Sequence, residues 1–328
     1  MNKERKVKPV ISDVFTPVYM SLTSMNEYLA AFLVSLKDKS KETFGTYQRC
    51  LRDFTYFFTV DKNFSFTVKC VERYKHYLIH EKKMAEVSMS QYLTSLRRFC
   101  NYLVEVGALQ KNPAKRVSGG KRPKKHTRSF LTLDEMDLLL KSMEGNEYEQ
   151  LRDNAIVRFM IGCAVSELEL TRMDIGDLKH DGKRWTVIVQ GKGKTVKDIL
   201  VPVPQSVVDW VQKYLAMRND TTPDKPMFVS RSNRACNGYM NIRSMREMVH
   251  LRLISSGIKH GRDLRLTPFS LRHTAGLMIA ELGATVEELM QRLRLEWRPT
   301  ALIYFQQVGQ FGVTTRQDMI DLVSVPKE

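Results

Sequence analysis

From Ser21 to Leu109 apolar residues recur at spacings of three and four, the period of an amphipathic helix. Met25, Tyr28, Leu29, Phe32 and Leu33 mark a first helix, and a second, starting after Lys39-Ser40, carries Phe44, Tyr47, Leu51, Phe54 and Phe58 on one face. A third spans about Val68 to His80. A fourth runs from Ser90 through Leu93, Leu96, Phe99, Cys100 and Leu103 to a C-cap at Gly107. Four such helices make a small bundle, and the aromatic stripes read as its core rather than as base-stacking platforms.

The pattern then breaks. Residues 113–129, PAKRVSGGKRPKKHTRS, contain Gly119-Gly120, Pro123 and no acidic side chain, which predicts a flexible basic linker. Beyond it Thr132 and Glu135 form a capping box into a helix, and another helix covers Gln150 to Met160. The period changes to that of strands at Trp185–Val189, turns at Gly191-Lys192-Gly193-Lys194, and resumes from Val196 to Val203. Helices follow from Ser206 to Met217, around Arg243 and Arg246, and up to Gly283. A short amphipathic helix around Met319, Ile320, Leu322 and Val323 ends the chain. The expected fold is mainly α with a small antiparallel β-sheet in two domains: a tail (1–18), a helical domain (19–112), the linker (113–129) and a second domain (130–328).

Composition sharpens the choice of partner. A formal charge of +16 over 328 residues favours a polyanion, because binding phosphates releases their condensed counterions. A merely solvated basic surface is the bland alternative. No apolar run approaches the roughly 18 residues of a membrane span, and the N-terminus has no apolar signal segment, so a cytoplasmic protein is expected. The five cysteines are scattered, which argues for reduced thiols and against a metal site. Candidate DNA contacts are Lys41, Arg49, Arg97 and Arg98 on the bundle, Lys115, Arg116, Lys121, Arg122, Lys124 and Lys125 in the linker, and Lys192, Lys194, Arg231, Arg234, Arg243, Arg246 and Arg272 beyond it. For each, a solvated helix face or a localisation-type basic run is the competing reading.

Three stretches carry chemistry. Thr267-Pro268-Phe269-Ser270-Leu271-Arg272-His273-Thr274, followed by Tyr304, resembles the signature of the tyrosine recombinase (phage integrase) family: T-P-H-x-L-R-H-T, then L-G-H, then a tyrosine nine residues after that histidine. Ile161-Gly162-Cys163-Ala164-Val165-Ser166-Glu167-Leu168 is similar to its T-G-x-R-x-S-E-L box, and Asn112-Pro113-Ala114-Lys115-Arg116-Val117 to the N-P-A-x-x-V exit of its DNA-clamping helical domain. The resemblance implies a core-binding domain, a catalytic domain, double-stranded DNA as partner and no cofactor. It also implies self-association on DNA through the C-terminal helix.

In that family the tyrosine attacks a DNA phosphate, two arginines neutralise its oxygens, a histidine moves a proton and a hairpin lysine protonates the leaving oxygen. Lys192, Arg272 and Tyr304 match three of these groups. Ala164 stands at the first arginine, Phe269 at the first histidine, and Leu295 at the histidine or tryptophan of the L-G-H triplet. Losing one preorganised charge donor costs about 10²–10³ in rate, and a general acid or base about 10²–10⁴. The expectation is therefore a recombinase scaffold that binds DNA without strand exchange. It would be a transcriptional regulator rather than an enzyme, in the manner of the lysogeny repressor of SPβ-type prophages, with phage-encoded regulators as further partners. The alternative is an active recombinase in which Arg172, Arg184, His260, Arg262 or Arg265 supplies the missing group. His273 is expected in the core, and Trp297 as a packing residue.

Overall fold

Serine and threonine caps set the first three helices, α1 (Leu22–Val34), α2 (Lys41–Val60) and α3 (Val68–His80). Ser21, Ser40 and Thr67 each accept a hydrogen bond from the backbone N–H three residues on, satisfying a donor that a helix start leaves open. The computed structural model describes residues 17–120, 129–230, 238–259 and 266–309. It divides into two compact units, Met1–Arg122 and Pro123–Glu328, each with its own apolar core.

In the first unit the aromatic stripes meet as expected. The Phe54 ring lies edge-on to Phe64 at 5.4 Å and to Tyr74 at 5.1 Å. The fourth helix, α4 (Glu86–Glu105), starts a turn before the expected Ser90. Ala85 begins it without a side-chain cap, while Ser90, inside the helix, accepts the Gly120 N–H at 2.6 Å.

That contact corrects the linker boundary. Residues 113–115 form a 3-10 turn, Val117 is buried, and a Cβ on Gly120 would stand 2.5 Å from that of Glu86. The chain therefore lies packed on α4 up to residue 120, and Gly119 and Gly120 serve close approach rather than flexibility. Arg97 holds this segment by donating to the carbonyls of Ala114 (3.0 Å) and Val117 (2.7 Å).

The second unit has α5 (Leu133–Lys141), α6 (Tyr148–Gly162) and α7 (Glu167–Leu170). An antiparallel sheet follows, β1 (Leu178–His180), β2 (Trp185–Val189) and β3 (Ile199–Val203), then α8 (Gln205–Ala216), α9 (Ile242–Ser255), α10 (Pro268–Glu281), α11 (Val286–Leu293) and α12 (Arg298–Phe305). The strands lie in chain order, with His180 opposite Trp185 and Val189 opposite Ile199. Strand β1 was not anticipated. Strand β3 starts at Ile199 instead of Val196, which is 60% exposed; next to it the Lys197 ammonium turns to Asp174 and Asp177.

Helices α6 and α10 pass through the core, so even their polar residues Asn154, Arg158, His273 and Thr274 are buried. Thr274 ties α10 to the start of the unit by accepting the Leu131 N–H at 2.9 Å. Cys50, Cys70, Cys100 and Cys163 are free and buried. Among the described residues no helix is long and apolar enough to cross a membrane.

Candidate active site

A buried carboxylate, Glu169, organises the site. It closes the capping box of α7, accepting the Ser166 N–H at 2.6 Å while its own N–H donates to the Ser166 hydroxyl. The same carboxylate accepts from two arginines. Arg272, from the second turn of α10, donates to Oε2 at 2.8 Å and also to the Leu293 carbonyl. Arg294 donates from Nε to Oε1 at 2.6 Å and from Nη2 to Oε2 at 2.9 Å. Side-chain exposures are 3% for Glu169, 10% for Arg272 and 7% for Arg294. Burial alone would raise the carboxyl pKa, but the two guanidiniums overcome it and hold Glu169 below the ordinary carboxylate range. Burial pulls Arg272 down from its usual value, against the opposing pull of Glu169.

Arg294 follows α11 with φ 51° and ψ 47°, the left-handed region. A residue with a Cβ pays roughly 1–2 kcal/mol there, which is why glycine usually takes such a cap. Its conformation aims the guanidinium back at the α6–α7 corner, where Nη2 donates to the Ala164 carbonyl at 2.6 Å. Ala164 is itself left-handed (φ 50°) and buried. The Arg294 guanidinium therefore lies against the backbone of Ala164.

Lys192 and Lys194, on the β2–β3 connection, line one cavity of about 360 Å³ with Arg272, Arg294 and Trp297. Phe269 and Leu295 form part of its wall, so the two lost histidine positions are apolar lining. Trp297 is 63% exposed, which corrects its reading as a packing residue: it is the residue that precedes α12, and it lines this cavity.

Tyr304, on α12, is 2% exposed, its ring centroid 4.9 Å from that of His273 in the core. Burial raises its hydroxyl pKa to about 12, with Arg272 pulling the other way. The ring fits because α10 has glycine at 276: a Cβ there would stand 2.5 Å from Tyr304 Cε1.

The other sequence candidates scatter. Arg49, Arg98, Lys115 and Arg116 are exposed on the first unit, whereas Arg97 is turned to backbone carbonyls instead of solvent. Arg243 and Arg246 line a second cavity, of about 570 Å³, with Arg246 donating to Glu167 at 2.8 Å. Arg184 pairs with Asp181 on the β1–β2 turn and Arg172 follows α7; neither lines the Lys192 cavity. The side chain of Lys41 and residues Lys121, Arg122, Lys124, Lys125, Arg231, Arg234, His260, Arg262 and Arg265 lie outside the described residues, as does the expected C-terminal helix.

Arg294, which sequence reasoning missed, had one signal. With Leu295 at the histidine of the L-G-H triplet, Arg294 takes the glycine, a cationic residue where left-handed backbone is needed.

Comparison with known proteins agrees with this architecture. Residues 129–307 match the model of the phage integrase family, and residues 24–119 that of the phage integrase SAM-like domain. Tyrosine recombinase XerC of Pelobacter propionicus is 28% identical over 276 residues, 81% of this chain and 86% of the relative. XerC of Salmonella typhi is 29% identical over 225 residues, 68% of this chain and 70% of the relative. Two solved structures share the fold: XerH recombinase bound to a palindromic difH substrate (TM-score 0.69, 12% identity, 90% of this chain and 97% of that one) and the Tn1549 transposon integrase with circular intermediate DNA (TM-score 0.65, 15% identity, 90% and 97%).

These relatives overturn the expectation of a non-catalytic regulator or lysogeny repressor, and with it the reading that the chain is not an enzyme: proteins matching most of its length are recombinases by name. Matched by family models over both of its units, the chain belongs to the phage integrase family, the tyrosine recombinases.

Proposed function

We propose that this protein is a site-specific recombinase of double-stranded DNA, working through a divergent active site. The Tyr304 hydroxyl attacks the scissile phosphate, its oxygen–phosphorus bond forms as the bond to the 5′ oxygen breaks, and the hydroxyl proton is released. Lys192 protonates the departing oxygen, and the guanidinium charge carries the added negative charge of the transition state. The phosphotyrosyl bond keeps the energy of the broken linkage, so the reverse attack by a 5′ hydroxyl reseals DNA without a cofactor. The bundle and the basic segments grip the duplex, and copies of the chain associate on it.

The observation that carries this reading is the convergence of Lys192 and Arg272 on one cavity, with Arg272 also acting on the hydroxyl of the buried Tyr304, in a chain whose relatives are named recombinases. The test is covalent capture. Full-length protein is incubated with fragmented DNA of its host, and adducts that survive boiling in detergent are recovered and sequenced. An adduct formed by the wild type and absent from Tyr304→Phe, enriched at inverted repeats, is expected. Equal recovery from both proteins, or from neither, would sink the proposal.

A further inference from the structure

We infer that Arg294 is a catalytic arginine of this protein: it supplies to the scissile phosphate the positive charge that Ala164 cannot, from a different element and through a left-handed backbone. The inference rests on the strand-exchange reading and adds the identity of the group that makes that reading workable.

Geometry is the first support. The Arg294 guanidinium lies against the carbonyl of Ala164 itself, on the wall of the cavity shared with Lys192 and Arg272. Backbone is the second. Nothing about a helix end requires arginine in the left-handed region, and glycine would take that conformation without a penalty. The strain is tolerated because a guanidinium is delivered where the α6–α7 corner and α10 converge.

Charge balance is the third. Arg272 alone matches the charge of Glu169, and it shares Oε2 with the Ser166 N–H and the Ser166 hydroxyl, the last at 2.9 Å, while Oε1 accepts from Arg294 Nε at 2.6 Å. Among the described residues, adding Arg294 leaves two guanidiniums sharing one carboxylate, a net positive charge in a largely buried cluster. Glu296, at the rim, is exposed. A buried charge without its counter-ion is costly; an entering phosphate removes that cost, and two guanidiniums then address its two non-bridging oxygens. Glu169 is the positioning residue that holds both until DNA arrives.

The test uses the full-length chain and a duplex identified by capture, nicked beside the cleavage phosphate so that the released fragment diffuses away and the adduct accumulates. Arg294→Gly relaxes the backbone and removes the charge. It is expected to slow adduct formation about 10²–10³-fold while DNA affinity stays within a few-fold. Ala164→Arg added to Arg294→Gly returns the charge from the other element and is expected to recover at least tenfold. A substrate with a neutral methylphosphonate at the cleavage site should erase most of the difference between Arg294→Gly and wild type, since there is then less charge to neutralise. That last readout would not respond to a merely structural arginine.

Wild-type cleavage with Arg294→Gly equally fast would overturn the inference and leave the recombinase standing; no adduct from wild type would overturn both. Should Arg294→Gly fail to fold, Arg294→Lys keeps a cation but loses the bidentate grip. A fall in its cleavage rate that methylphosphonate rescues then supports the inference, and an unchanged rate refutes it.

Discussion

Gly276→Ala separates the two demands that α10 meets, being a helix and making room for Tyr304. Helix propensity favours alanine over glycine in a helix interior by about 1 kcal/mol. Against this, the new Cβ would stand 2.5 Å from Tyr304 Cε1, 3.0 Å from its Cδ1 and 2.9 Å from Leu293 Cδ1. Carbon atoms sit best at about 3.5–4.0 Å, so the ring must retreat by roughly 1 Å, and overpacking of this kind costs about 1–3 kcal/mol. The two terms nearly cancel in stability, leaving a net loss of about 0–2 kcal/mol, or a melting point lowered by no more than about 8 °C for a unit of this size. They do not cancel in activity. Displacing a reacting group by 1 Å can cost about 10²-fold, and the clash falls on the ring that carries the nucleophile. Adduct formation on a nicked duplex, measured beside a thermal melt and a binding titration, should therefore drop about a hundredfold with affinity and fold retained. A variant that melts higher and cleaves at the wild-type rate would show that Tyr304 is not held against α10 where this reasoning needs it.

Three further outcomes are expected. Glu169→Gln removes the negative partner of two buried guanidiniums and should destabilise the second unit by about 3–5 kcal/mol. Because the folded carboxyl sits below its ordinary value of 4.5, the wild type loses this contribution as pH falls from there through the folded pKa; acid melts should show the loss in wild type and not in the variant. With Tyr304 raised to about 12 and no imidazole at positions 269 and 295, the cleavage rate should climb from pH 7 to pH 9, and a bell with an acid limb near an ordinary histidine value of about 6.5 would contradict it. Arg97→Ala should free the 112–120 segment and lower the stability of the first unit by about 1–3 kcal/mol, whereas a loss of one phosphate contact in the salt dependence of DNA binding, with no change in the melt, would return Arg97 to the DNA face.

The first unit was readable because each helix shows one apolar face and three begin with a side-chain cap; spacing and Ser40 alone place α2. The start of α4 was placed a turn late, at Ser90, and only the fold shows that residue inside the helix with its hydroxyl engaged by Gly120 thirty residues on. Strand β1 has three residues, too few for an alternation to register. Helix α10 carries no useful periodicity, since Ser270, Arg272, His273 and Thr274 are buried alongside its apolar residues; the motif, not the pattern, located it. Lys192, Arg272 and Tyr304 could be named as candidates because their types stand at the motif's places. Arg294 could not, because its contact depends on a left-handed turn bringing a side chain to Ala164 across 130 positions, and a motif compares positions rather than destinations.

Glu169 has a consequence for the order in which the molecule becomes competent. Its bond to Ser166 spans three residues and can form as soon as the α6–α7 corner leaves the ribosome, while its bonds to Arg272 and Arg294 span 103 and 125. Closing loops of that size requires the sheet, α8 and α9 to have condensed in between, and long-range closures are slow relative to local ones. The paired guanidiniums on Glu169 are therefore absent from every partly made chain that lacks residue 294, and this buried cluster closes late, when the elements between its members are already in place.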